Sequence, residues 1–148
     1  MITDQTRQPT TVDRIEIPTE GSVIDLPEGL MGKHHLQRFA IIDAAAGGPF
    51  HHLVSLDEAE VGFAIAEPAR LFSNYEVEIG PEREVLGIES DEEAGLYVML
   101  TIGENPMKTT ANLLAPLLVN KRTQLARQLV LSDSRYSTKH PIIASRQQ

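Results

Sequence analysis

The chain has 148 residues and a formal net charge of −8, enough length for one domain with its own core. Cysteine is absent, which excludes disulfides, thiolate metal sites and cysteine nucleophiles together and fits a reducing cytoplasm. No apolar run approaches the ~18 residues of a membrane-spanning helix, and the polar stretch Met1–Thr11 lacks the apolar centre of a secretory signal.

The charge is unevenly placed. Residues 1–104 hold 20 acidic and 6 basic side chains, net −14, whereas residues 105–148 hold 1 acidic and 7 basic, net +6. A large acidic field repels nucleic acid and attracts basic partners, and it also keeps a protein in solution. Aromatics make up 5% of the chain and are not interleaved with basic residues, so direct nucleic-acid binding is excluded.

In chain order, residues 1–11 read as a flexible arm and residues 143–148 as a flexible tail around one domain, 12–142. Asp13–Ile17 alternates, Pro18–Gly21 turns, and Ser22–Leu26 returns, which predicts a hairpin. Leu26-Pro27-Glu28-Gly29-Leu30-Met31-Gly32 is a loop in which Pro27 stops the strand and the glycines permit positive φ. Phe39–Ile42 is a short strand. Phe50–Leu56 and Val61–Ala66 form a pair turned by residues 57–60. Tyr75–Ile79 predicts a strand with Tyr75, Val77 and Ile79 inward. Pro81–Gly87 is the short-helix signal, and Ser90–Glu93 fits a capping box. Leu96–Ile102 alternates again, with Tyr97 and Met99 on its second face.

Thr109–Leu131 organises the rest. Ala111, Leu113, Ala115, Leu117 and Val119 are all apolar at period two, with a partly buried second face, as in a strand near the middle of a sheet. Pro116 argues against a helix, where it costs ~3 kcal/mol, and needs only an edge or bulge in a strand. Residues 120–123 then form a polar turn and Gln124–Leu131 a returning strand, giving a β-hairpin with a kinked first arm. Roughly eight to ten short strands with one short helix, and no β-α-β alternation, predict an all-β, single-domain antiparallel barrel or barrel-like folded sandwich.

Catalytic signals are missing. No G-x-S-x-G elbow occurs, the glycine pair in Ala45–Gly48 lacks a phosphate loop's lysine, and no carboxylate pair sits in an acid/base context. Adjacent histidines, His34-His35 and His51-His52, point to opposite faces of a strand and do not chelate one ion. No catalytic, cofactor-binding or metal residues are assigned.

Three blocks carry a resemblance. They are T-A-N-L-L-A-P-L-L-V-N with R-Q-L-V-L and D-S-x-Y…H-P-I (residues 110–142), L-P-E-G-L-M-G (26–32), and P-F-H-H-L-V-S-L-D-E-A-E-V-G-F-A-I (49–65). Together they resemble the FliW-type flagellar assembly factors, in that family's order and spacing. Leu26, Met31, His52 and Val54 depart from the family's phenylalanine, proline, tryptophan and glutamine. The resemblance implies an all-β protein without cofactor, acting in the cytoplasm as a monomer. It also implies two partners, flagellin and the translational repressor CsrA, with flagellin competing for the factor. Among the matching positions, folding explains the polar ones least: Glu28, Asn112, Asn120 and Lys121 are the expected partner-binding residues. A small-ligand-binding or catalytic β-barrel is the rival reading, and its mark is an interior pocket with convergent polar groups.

Overall fold

The alternating runs form nine strands in the computed structural model, which describes residues 22–43, 48–58, 60–104, 106–133 and 135–142. They are β1 (Ser22–Asp25), β2 (Arg38–Asp43), β3 (Phe50–Ser55), β4 (Gly62–Ala66), β5 (Ala94–Thr101), β6 (Thr110–Ala111), β7 (Leu117–Asn120), β8 (Ala126–Gln128) and β9 (His140–Pro141). The one α-helix among these residues, α1, spans Gly80–Leu86. The expected arm 1–11, the first half of the first hairpin and the tail 143–148 lie outside the described residues.

β1 to β5 form an antiparallel meander, each paired with the next. β5 is the pivot. Its first half, Ala94–Tyr97, pairs with β7; Val98 and Met99 pair with β4, and Leu100 and Thr101 with β6. β8 pairs with β7 and β9 with β6. The sheet curls until Asp25 meets Leu125 in one parallel bridge, with the Asp25 N–H donating to the Gln124 carbonyl at 2.9 Å. One bridge is not a ladder. Of the two expected forms, the sheet is the folded, barrel-like sandwich and not a closed barrel.

Side-chain alternation on β5 divides the interior. Tyr97 and Met99 pack on the cluster inside the curl, built from Ile24, Leu26, Phe39, Leu53, Ile65 and Leu117. Val98 and Leu100 face the other way, with Ala111, Leu113, Phe72 and Ile142. Leu96 joins a third cluster with Leu86, Ile88, Leu118 and Leu129, which seats α1. Fully burying such a side chain contributes about 1.5–3 kcal/mol, so these clusters outweigh any local propensity.

The helix starts and stops where its sequence says. Pro81 lies in the first turn, and Gly87 ends it at φ 69, its N–H bonding the carbonyls of Arg83 and Glu84. Two local expectations fail. Ser90 makes no side-chain cap, and Glu93 Oε1 accepts instead from the N–H of Glu89, one residue before the cap position, at 3.0 Å. Residues 75–79 show the predicted faces, with Tyr75, Val77 and Ile79 half-buried and Glu76 and Glu78 exposed, but they join no ladder. A side chain takes the place of a strand there: the Tyr136 hydroxyl accepts from the Glu76 N–H at 2.9 Å.

The kinked arm has a physical cause. From Leu100 to Tyr97 the β5 register advances three residues, while the facing arm advances six, from Ala111 to Leu117. The surplus is a bulge containing Pro116, as its missing N–H requires. Pro116 still accepts from the Leu129 N–H at 2.8 Å, which holds the returning strand beside the bulge.

Candidate partner-binding surface

The four expected residues divide into two kinds. Asn112 opens the bulge, and its Oδ1 accepts from the N–H groups of Leu114 and Ala115, each at 3.1 Å. Those donors lose their strand partners when the arm leaves the β5 register, so the side chain restores what the kink removes. Asn120 is completely buried at the end of β7. Its Nδ2 donates to the Leu86 carbonyl at 2.8 Å, and its Oδ1 accepts from the N–H groups of Arg122 and Thr123 at 2.9 and 3.2 Å. It binds the turn to the end of α1, where a helix leaves carbonyls unpaired. Both asparagines are used by the fold itself.

Glu28 and Lys121 are exposed, and the fold holds them in different clefts. Glu28 stands on the loop after β1, where Gly29 fixes the path. Gly29 has φ 72 and is packed on the main chain of His34, so that a Cβ there collides with the His34 carbonyl oxygen. The Glu28 carbonyl is also 3.1 Å from His34 Nδ1, and its carboxylate lies 3.5 Å from the Arg127 guanidinium on β8. The fold thus joins residues 28 and 127 across a groove of ≈ 390 Å³ lined by Met31, Glu82, Gln128 and Val130.

Lys121 opens the turn after β7. Its N–H donates to the Glu93 carbonyl at 2.7 Å, and its side chain lies along Gly95 and Tyr97 in a cleft of ≈ 340 Å³ that also includes Glu67. Burial pushes the Tyr97 phenol above its ordinary value, aided by the charges of Glu67 and Asp43. Beside Lys121, Arg122 caps the helix: it donates to the Gly87 carbonyl at 2.9 Å and to Glu93 Oε2 at 3.1 Å. The Glu93 carboxyl is held below its usual range, first by the Glu89 N–H and then by the Arg122 charge. Arg122 therefore has a structural use, while Lys121 is left to solvent.

Sequence reasoning missed His51. Its neighbour His52 is exposed on the opposite face of β3, as alternation requires, but His51 is buried. Its Nδ1 lies 2.8 Å from Asp43 Oδ1, its Nε2 lies 2.6 Å from Glu67 Oε2, and its ring meets Tyr97 edge-on at 5.7 Å. Among the described residues, no three metal-ligating side chains converge. A further cleft of ≈ 380 Å³ is lined by Phe72, Tyr75, Tyr136 and His140, with Arg135 at its rim. There the Arg135 guanidinium is already bound to Asp133 at 2.7 Å.

The described residues form a folded antiparallel sheet with packed apolar interiors and clefts at its surface. The family model described as "FliW protein" matches residues 6–142. The flagellar assembly factor FliW of Symbiobacterium thermophilum is 39% identical over 124 residues, covering 82% of this chain and 89% of that protein. That of Bacillus subtilis is 36% identical over 124 residues, covering 83% and 87%. A crystal structure of the flagellar assembly factor FliW superimposes with a TM-score of 0.78 at 31% identity, covering 86% of this chain and 89% of that one. The chain belongs to the FliW family of flagellar assembly factors.

Proposed function

We propose that this chain works in the cytoplasm as a monomer that binds newly made flagellin and, in competition with it, the translational repressor CsrA. Binding the repressor keeps it off flagellin messenger RNA. Free flagellin then displaces the repressor and shuts down its own synthesis. Two partners sharing one limited binder make a titration switch whose set point is the ratio of their affinities. The observation that carries this reading is the family match over residues 6–142, nearly the whole chain, with the fold to go with it. The acidic body, net −14 over residues 1–104, suits a basic RNA-binding repressor. The protein is not an enzyme on this reading. Against a small-ligand barrel stands the space inside the curl, filled by Phe39, Leu53, Ile65 and Leu117.

The test is co-purification with the organism's own flagellin and repressor, separately and together. Each should form a complex alone, and added flagellin should release the repressor. Repressor affinity should weaken as salt rises from about 0.05 to about 0.5 M, because surface charges are then screened. Failure of both partners to bind overturns the reading; salt-independent repressor binding removes only its electrostatic part.

A further inference from the structure

Among the described residues the curled sheet does not close past Asp25, and the edge this leaves is shaped for one kind of ligand. The bonds from the Asn120 N–H to the Leu125 carbonyl, and from the Leu129 and Leu131 N–H groups to Pro116 and Leu114, set the phase of the β8 segment. Leu125, Arg127, Leu129 and Leu131 turn their main-chain groups toward the β7 arm, so Gln128, Val130 and Ser132 turn theirs to the other edge. The bridge at Asp25 and Leu125 covers only the start of that edge. Beyond it the next edge-facing residue of the β1 chain is Pro27, which has no N–H to donate, and the chain turns into the loop with the Gly29 N–H bonding the Leu26 carbonyl at 2.9 Å. Among the described residues none pairs with the outward main chain of Gln128, Val130 or Ser132. The edge lies beside the ≈ 390 Å³ groove, whose far wall is the Glu28–His34 loop.

We propose that this seam receives an extended segment of a partner protein as an added strand along Gln128–Ser132. The inference rests on the reading above that the partners are proteins, and it names the surface and the chemistry of the segment. Outward N–H and C=O groups in strand geometry are satisfied by an extended main chain. Met31 and Val130, 52% and 72% exposed, offer apolar contact at the groove. Glu28 and Glu82 line the same groove; Arg127 offsets Glu28, but Glu82 has no ion-pair partner among the described residues. The segment that fits is therefore extended, with apolar residues on one face and a lysine or arginine placed to meet Glu82.

The test uses amide hydrogen exchange on the full chain, alone and with full-length flagellin or repressor. Binding should slow exchange at Gln128, Val130 and Ser132. Val130→Pro deletes one outward donor and leaves the inward bonds of Leu129 and Leu131, so it should weaken that partner about tenfold, as expected for one or two lost main-chain hydrogen bonds. Glu82→Lys, at a half-buried position in the first turn of α1, should weaken it too by more than its own shift in the melting curve accounts for. If a partner binds the parent with exchange unchanged at these three amides, or binds both folded variants like the parent, the seam is not its site and the proposed function still stands. If neither partner binds the parent, the proposed function falls and the seam proposal falls with it. Should Val130→Pro fail to fold, the exchange pattern of the parent and the Glu82→Lys affinity decide alone.

Discussion

The turn after β7 and the loop after β1 are both rich in polar groups, and they use them in opposite ways. In the turn, Asn120 is buried and all three of its side-chain hydrogen bonds go to main-chain groups, of Leu86, Arg122 and Thr123. In the loop, the main chain is what is locked, through Gly29 packed on His34, and Glu28 is left facing out. A side chain holds the turn and a backbone holds the loop. Polarity at a turn therefore says little about binding until the direction of its hydrogen bonds is known.

Removing the buried member of the comparison should have the largest effect. Asn120→Ala leaves the Leu86 carbonyl and two N–H groups without their partner, and each buried orphan costs about 1–3 kcal/mol. A loss of about 3 kcal/mol in urea denaturation is expected. A loss below about 1 kcal/mol breaks the comparison, since the asparagine is then replaceable by water.

Gly29→Ala attacks the loop's own lock. The new Cβ has to displace main-chain atoms of His34 and also sits at φ 72, so a loss of about 2 kcal/mol is expected. The same variant should lower affinity at the seam, because the wall carrying Glu28 and Met31 moves. Unchanged stability and binding together would mean the loop adapts freely and does not hold a surface.

Much of this was legible in the sequence. Alternation at Ala111–Val119 identified the central arm, Pro116 its kink, and Pro81 with Gly87 the helix. What stayed hidden were contacts between distant residues whose identity no local pattern reports. Asn120 reads as a turn asparagine because Arg122 and Thr123 are next to it; its third partner, Leu86, lies 34 residues away. Tyr75–Ile79 reads as a strand because its faces alternate, but the group that bonds Glu76 is a tyrosine hydroxyl 60 residues on. Ser55 and Asp57, residues common to catalytic sites, have local work instead. Ser55 Oγ accepts from the N–H groups of Asp57 and Glu58, and Asp57 Oδ2 accepts from those of Gln37 and Arg38.

That last bond sharpens the comparison by pH, since it is another exposed carboxylate with a structural use. The Gln37 and Arg38 N–H groups, at 2.7 and 3.1 Å, hold the Asp57 carboxyl below its ordinary value. A lowered folded value contributes stability above the unfolded pKa of about 3.9 and loses it as pH falls through the folded one. The parent should therefore lose stability below about pH 4 more steeply than Asp57→Asn, with urea midpoints compared from about pH 7 to about pH 3. Equal acid limbs would show that the two N–H groups do not need the charge.

The smallest expected change in stability, and the sharpest division between the regions, comes from reversing the exposed charges. Glu28 has only a long contact with Arg127, and no ion pair is recorded for Lys121 among the described residues. Exposed pairs contribute about 0–1 kcal/mol, so Glu28→Lys and Lys121→Glu should each shift stability by about 0.5 kcal/mol. The proposed role puts their larger effect on binding, and the structure puts them in separate clefts, so they should not act alike. Glu28→Lys places a cation beside Arg127 and should weaken a basic segment at the seam, while Lys121→Glu leaves the seam untouched. Titrating each folded variant with flagellin and with the repressor reads this directly. Two variants that lower the same partner's affinity equally would join the clefts into one surface. Two that bind both partners like the parent would remove Glu28 and Lys121 from the site, and leave the asparagines as scaffold alone.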